Sequence, residues 1–188
     1  MVIPSAITNF NRSPAELQEF AIYCVAAAGK AAEQQASKVN ALIRPALLAY
    51  HEPFDYLQDL DRYGKLDSEL RSVRIGQYVR IGKAVRGLIK NTPCLASASL
   101  PELESIYGIG PKTARFFLLH SRVDQEVAVL DVHILRFLRK SGVDAPLQTP
   151  QGKKYVELEQ KFLELCSKAG MSPAELDLRV WNKERGSL

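Results

Sequence analysis

The sequence predicts an all-α protein, and three observations carry that expectation. Three segments open alike, with a Ser followed three residues later by Glu and a Pro between them: Ser13-Pro14-Ala15-Glu16, Ser99-Leu100-Pro101-Glu102 and Ser172-Pro173-Ala174-Glu175. The serine hydroxyl satisfies an orphan amide of the first turn while the glutamate reaches back to the serine amide, so each pattern marks a helix start. Apolar residues then recur at helical spacing, as in Leu17, Phe20, Ala21, Cys24 and Ala28, and again in Tyr155, Leu158, Phe162 and Leu165. Only Glu126 to Leu130 is apolar and branched enough to read as extended, and there is no βαβ alternation, internal repeat or low-complexity tract.

Taken along the chain, Pro45, Pro53, Pro93 and the Pro146–Pro150 stretch punctuate the helices. The segment from Gly76 to Asn91 reads as a two-faced helix at about 100° per residue. Ile81, Ala84, Val85, Leu88 and Ile89 fall on one side, and Arg80, Lys83, Arg86 and Lys90 share the other. Leu100, Leu103 and Ile106 form the stripe of a short helix, Gly108 and Gly110 flank Ile109 in a tight turn, and Pro111 opens a second helix carrying Ala114, Phe117 and Leu118. The helix-hairpin-helix is expected over about 100–120. Asp131 then stands between the extended run and an amphipathic helix expected over about 131–140, with Ile134, Leu135 and Leu138 inward.

A chain of 188 residues suits one compact unit, here 1–188, with a single core or two small lobes sharing a cleft. No apolar run approaches the roughly 20 residues that span a bilayer, so no membrane partner is expected. Met1 to Arg12 lack the basic start and apolar stretch of a secretory signal, which predicts a cytoplasmic protein. Cys24, Cys94 and Cys166 are odd in number and far apart, so they read as small buried hydrophobes, with no disulfide framework and no metal or iron-sulfur site. The net charge of +4 is a weak hint of polyanion binding, and its distribution says more. Between Glu69 and Glu102 there is no acidic residue, yet the stretch holds Arg71, Arg74, Arg80, Lys83, Arg86 and Lys90. A merely solvated helix usually mixes signs for i,i+4 pairing. The basic face with Arg80, Lys83 and Arg86 is therefore expected beside a phosphate backbone.

Gly108 and Gly110 let the backbone turn sharply and let its N–H groups approach a phosphate, with the dipole of the following helix adding attraction. Lys112 and Asp131 each have an ordinary reading, an exposed lysine and a helix N-cap. Chain length nevertheless links them. About nine helical residues at ~1.5 Å each nearly cancel about five extended ones at ~3.3 Å, so both side chains return to the same end of the lobe. His133 reads as packing or bonding locally, His51 and His120 show no ligand spacing, and Trp181 reads as core rather than as a lid.

Two stretches in this order, Tyr107-Gly108-Ile109-Gly110-Pro111-Lys112-Thr113-Ala114 and Leu130-Asp131-Val132-His133-Ile134, resemble the helix-hairpin-helix (HhH-GPD) DNA glycosylases. The pattern there is Leu-x-Gly-hydrophobic-Gly-x-Lys-x-Ala, followed some twenty residues later by hydrophobic-Asp-x-His-hydrophobic. The likeness covers about forty residues strongly, and more loosely the chain from Arg71 onward. Tyr107 departs from the usual Pro. The absence of a four-cysteine cluster sets the chain apart from the endonuclease III branch. The small size, the lysine, the Ala28-Gly29-Lys30 stretch and the Leu176 to Trp181 segment are more similar to short archaeal-type 8-oxoguanine glycosylase/lyases. That group commonly ends in Lys, where this chain ends in Leu188.

The resemblance implies a two-lobed helical fold with a cleft, and a bifunctional DNA glycosylase/AP lyase of base excision repair. It assigns Lys112 as nucleophile and Asp131 as the essential aspartate, with Gly108, Ile109, Gly110 and Thr113 joining Arg80, Lys83 and Arg86 in DNA binding. It implies a monomer acting on double-stranded DNA that contains a damaged base, 8-oxoguanine first, in the cytoplasm at the nucleoid. No metal or organic cofactor is expected beyond a monovalent cation at the hairpin carbonyls. Two other classes fit the same residues: a non-catalytic helix-hairpin-helix module that only grips DNA, and a glycosylase-like enzyme that modifies a flipped base without excising it.

Overall fold

In the computed structural model, all three serine-glutamate pairs close as capping boxes. The Ser13 hydroxyl accepts from Glu16 N at 3.3 Å and Ser13 N donates to the Glu16 carboxylate at 2.8 Å. Ser99 with Glu102 and Ser172 with Glu175 repeat the arrangement. The structure describes residues 1–49, 52–91 and 94–185; His51, Pro93 and Leu188 lie outside the described residues. A 3₁₀ turn, Pro4–Ala6, precedes α1 (Pro14–Ala27), α2 (Ala32–Ala49), α3 (Pro53–Arg62), α4 (Leu66–Ser72), α5 (Tyr78–Asn91) and α6 (Leu100–Glu104). There follow α7 (Pro111–Ser121), α8 (Val132–Lys140), α9 (Gly152–Ala169) and α10 (Pro173–Arg185). Among the described residues there is no strand.

Pro45 does not end a helix, contrary to the sequence expectation: α2 runs through it to Ala49. A proline inside a helix costs ~3 kcal/mol, but Leu42, Ile43 and Ala46 around it are all buried in the core. Their packing offsets the lost hydrogen bond. The helix expected from Gly76 starts instead at Tyr78, because Arg74, Gly76 and Gln77 all have positive φ and form a tight turn ahead of it.

Two hydrophobic clusters make two lobes. The larger takes in Phe20, Ile22, Val25, Ile43, Leu70, Val85, Leu88 and Phe117, gathered from the N-terminal helices and the hairpin. Phe20 stacks on Phe117 with ring centroids 5.7 Å apart. The smaller joins Leu130, Ile134, Leu135, Leu138, Tyr155, Phe162, Leu176 and Val180. The hairpin helix α7 lies between them, packed on α1 and α6 and touching α10.

The run from Glu126 to Leu130 belongs to neither helix nor strand, and side chains stand where a partner strand would be. Tyr155 Oη accepts from Leu130 N at 3.2 Å and donates to the Ala128 carbonyl at 2.8 Å. Glu159 Oε1 accepts from Ala128 N at 2.8 Å. That same carboxylate is gripped by Arg115 of α7, Nε to Oε1 at 2.6 Å and Nη2 to Oε2 at 3.1 Å. Arg115 also binds Glu104 of α6 at 2.7 Å. This buried network ties the hairpin to α9 and holds the extended run that delivers Asp131. Buried amides need such partners.

Candidate active site

The hairpin turn is set by its first glycine. Gly108 has φ +84°, and a Cβ there would meet Ala84 Cβ at 3.1 Å and the Arg80 carbonyl at 3.4 Å. Gly110 is different: it is exposed, with φ −92°, and nothing lies within 4 Å of where its Cβ would be. Its backbone is open to an approaching ligand. Gly110 is the N-cap of α7 and offers no side chain to the first amides, so the helix start remains an anion-attracting end. Ile109 and Thr113 are both buried.

The basic residues of α5 fare differently from one another. Arg80 turns inward, with Nη1 donating to the Gly108 carbonyl at 3.2 Å, Nη2 to the Val25 carbonyl at 2.8 Å and Nε to Gln77 at 2.6 Å. It staples the hairpin to α1. Arg86 is held by Asp61 of α3 at 2.6 Å and Asp67 of α4 at 3.1 Å, and Lys90 also reaches Asp61 at 3.4 Å. The expectation of unopposed charge is therefore corrected: the stretch is free of acids in sequence, but helices packed against it supply them in space. Lys83 is exposed and lies over the Tyr107 ring at 5.0 Å.

Lys112, in the first turn of α7, and Asp131, just ahead of α8, line one cavity of about 450 Å³ between the lobes. The expected length cancellation holds in outline, with an 11-residue helix on the outward leg. Asp131 is also the N-cap of α8, its Oδ1 accepting from His133 N at 2.8 Å and Ile134 N at 2.9 Å. The cap reading of this residue holds, and the cap fixes the carboxylate at the cavity wall. His133 reaches the wall as well, and its Nδ1 is buried without a hydrogen-bond partner among the described residues.

The apolar walls include Tyr23, Phe116, Leu178 and Trp181. Trp181 lines the cavity and is half-buried, where the sequence pointed to core. Sequence reasoning also missed two polar groups of this wall, His120 and Asp177. His120 is fully buried, its Nδ1 2.7 Å from Thr8 Oγ1 and its Nε2 3.2 Å from Asp177 Oδ2. Burial pushes the Asp177 carboxyl above its ordinary range, against the opposing pull of His120. The available signal was helical spacing, which sets Asp177 three residues from both Ala174 and Val180 and so puts a carboxylate on an apolar, inward helix face.

Of the cysteines, Cys24 and Cys166 are buried as expected, and burial raises the Cys166 thiol to about 12. Cys94 departs from expectation by lying exposed, its thiol lowered by hydrogen bonds from Ser97. Among the described residues no group of three or more His, Cys, Asp or Glu side chains is placed to hold a metal ion. Among them no helix is long and apolar enough to cross a membrane.

Residues 5–171 match the family described as 8-oxoguanine DNA glycosylase. A Fusobacterium nucleatum 8-oxoguanine DNA glycosylase/AP lyase is 36% identical over 85 residues, which are 45% of this chain and 39% of the relative. A Thermoplasma volcanium protein of the same name is 32% identical over 109 residues, 55% of this chain and 52% of that protein. The matched region thus spans about half or less of these relatives' length. The Methanocaldococcus jannaschii 8-oxoguanine glycosylase/lyase, solved in complex with a 15mer DNA containing 8-oxoguanine, superposes with a TM-score of 0.69 at 21% identity. That likeness covers 96% of this chain and 86% of the other, and it shows a shared fold.

Proposed function

This chain belongs to the 8-oxoguanine DNA glycosylase family, and on that premise we propose that it excises 8-oxoguanine from double-stranded DNA and then nicks the strand. The observation that carries the proposal is the common cavity: Lys112 and Asp131 line one pocket between the lobes, beside an aromatic wall that suits a nucleobase. A base inside a duplex is out of reach of both residues, so the nucleotide is rotated out of the stack into this pocket, at a cost of a few kcal/mol.

Lys112, as the neutral amine, attacks C1′ of the sugar, and the base leaves with the glycosidic bonding pair. Asp131 stabilises the positive charge that develops on the sugar. The Schiff base then acidifies the C2′ hydrogen, and β-elimination breaks the strand 3′ to the lesion. The hairpin holds the backbone, with Gly108, Ile109, Gly110 and Thr113 presenting the α7 N-terminus and Lys83 adding an exposed cation. Arg80 and Arg86 act through the hairpin staple and the α3–α4 contact.

A monovalent cation at the hairpin carbonyls belongs to the same proposal. The Ile106 carbonyl accepts from Ile109 N at 3.0 Å and that of Gly108 from Arg80, which leaves a lone pair on each oxygen. Such an ion supplies charge to a backbone phosphate, and no chemical step passes through it. The enzyme works as a monomer, in the cytoplasm at the nucleoid.

Incubation with duplexes carrying 8-oxoguanine, and with undamaged duplexes, tests the proposal. Free 8-oxoguanine and a nicked strand are expected from the first alone. Binding without base release points to a DNA-gripping module, and a new mass on an unreleased base points to a modifying enzyme.

A further inference from the structure

The wall behind Lys112 holds a second carboxylate to which the reaction described so far gives no task. We propose that Asp177 accepts the proton that Lys112 must lose before attack, and that His120, anchored by Thr8, is the positioning residue that keeps Asp177 ionised and aimed. The inference rests on the glycosylase/lyase function proposed above and deepens it.

Attack at C1′ needs the lone pair of a neutral amine, so the ammonium proton of Lys112 has to pass to a base in the cavity. Two carboxylates line it with Lys112. Asp131 has one oxygen occupied by two backbone amides as the cap of α8, which ties it to the helix and leaves it to face the sugar cation. Asp177 is buried, and burial makes a carboxylate the stronger base. Its electrostatic neighbours are His120, Asp131 and Lys112.

The far side of Asp177 is built to hold it as an anion. His120 is fully buried and bridges Thr8 Oγ1 and Asp177 Oδ2. With Thr8 donating its hydroxyl to Nδ1, the ring carries a hydrogen on Nε2 and donates it to Asp177. Phe116 stands edge-on to the imidazole at 5.0 Å, and Arg12 binds the His120 carbonyl at 2.7 Å, so the ring has little freedom to swing away. The ionisable groups facing this wall are Lys112 and His120 from α7, Asp131 and His133 at the start of α8, Tyr23 and Cys24 from α1 and Lys30 from the α1–α2 turn.

The proton balance is complete within the cavity. Lys112 Nζ gives one hydrogen to Asp177; the C1′–N bond forms as the C1′–base bond breaks, its electron pair going to the base. The carboxylic acid at Asp177 then holds the proton that a departing group requires.

The test uses a duplex with a preformed abasic site, so that lesion choice plays no part, and follows borohydride trapping in single turnover from pH 5 to 10. Asp177→Asn should slow trapping at pH 7 at least 10-fold and recover towards the wild-type rate near pH 10, where solvent hydroxide removes the proton. His120→Phe keeps a ring but removes the donor. Loss of that donor raises the Asp177 pKa further, so the acid limb of the rate profile should move to higher pH, while His120→Gln, which restores an N–H, should bring it back. The His120 pair decides the matter even if Asp177→Asn does not fold. Wild-type rates at pH 7 in Asp177→Asn, a deficit equal at every pH, or identical acid limbs in the two His120 variants would overturn the inference. The glycosylase/lyase function fails differently: the wild-type protein itself would form no trapped species.

Discussion

Replacing Lys83 and Arg86 one at a time by Ala separates DNA contact from internal pairing. Each phosphate contact contributes about 0.9 to the slope of log affinity against log salt. From sequence alone, both residues and Arg80 share one unopposed face, and the triple variant would flatten that slope by nearly three units. In the structure carbonyls engage Arg80 and carboxylates engage Arg86, whereas Lys83 is exposed against the Tyr107 ring, so Lys83→Ala should flatten it by about 0.9 and Arg86→Ala by close to zero. Arg86 is instead worth stability. Its side chain is 31% exposed and Asp61 only 17%, at 2.6 Å. A charged hydrogen bond gives roughly 1.5–3 kcal/mol when buried, and an exposed pair roughly 0.2–1, so a half-screened pair comes to about 1–2 kcal/mol. For a chain of this size that is a fall in Tm of roughly 2–8 °C. Fluorescence anisotropy across a salt series, with thermal denaturation of each variant, reads both quantities. An Arg86→Ala variant that melts like wild type and flattens the slope as much as Lys83→Ala would refute the reasoning.

Three further outcomes follow from the packing. Gly87→Ala places a Cβ 2.6 Å from Ile106 Cγ2, an overpacking that should cost about 1–3 kcal/mol and be visible in a denaturant titration. Tyr155→Phe leaves the buried Leu130 amide and Ala128 carbonyl without the hydroxyl they share; a loss of roughly 1–3 kcal/mol is expected in the same titration, together with slower base release as the run ahead of Asp131 loosens. Asp131→Asn keeps an oxygen for the α8 cap but removes the negative charge, so base release should fall by orders of magnitude with DNA affinity and Tm near wild type. Near-normal release from that variant would remove Asp131 from the chemistry.

What could be read from the sequence was local. The capping boxes at Ser13, Ser99 and Ser172, the glycine turn at Gly108 and the cap at Asp131 each depend on residues within four positions of one another, and each appears as expected. Even the meeting of Lys112 and Asp131 follows from the lengths of two consecutive segments. What sequence periodicity hides is tertiary. Asp61 and Asp67 neutralise Arg86 from helices 19 to 25 positions upstream, and the acid-free run gives no sign of them. Pro45 looks like a helix stop because the core that holds Leu42 and Ile43 is invisible in a one-dimensional pattern. His120 and Asp177 are 57 positions apart and resemble any helix-borne polar residues until the fold buries them together.

The central claim is that Lys112 forms a covalent bond to the sugar, and borohydride trapping on an 8-oxoguanine duplex tests it directly. The wild-type protein should yield a stable protein–DNA species whose cross-linked peptide carries the DNA on Lys112, and Lys112→Gln should yield none while still binding the duplex. Undiminished trapping by Lys112→Gln, or a cross-link mapped to another lysine such as Lys30, would contradict it.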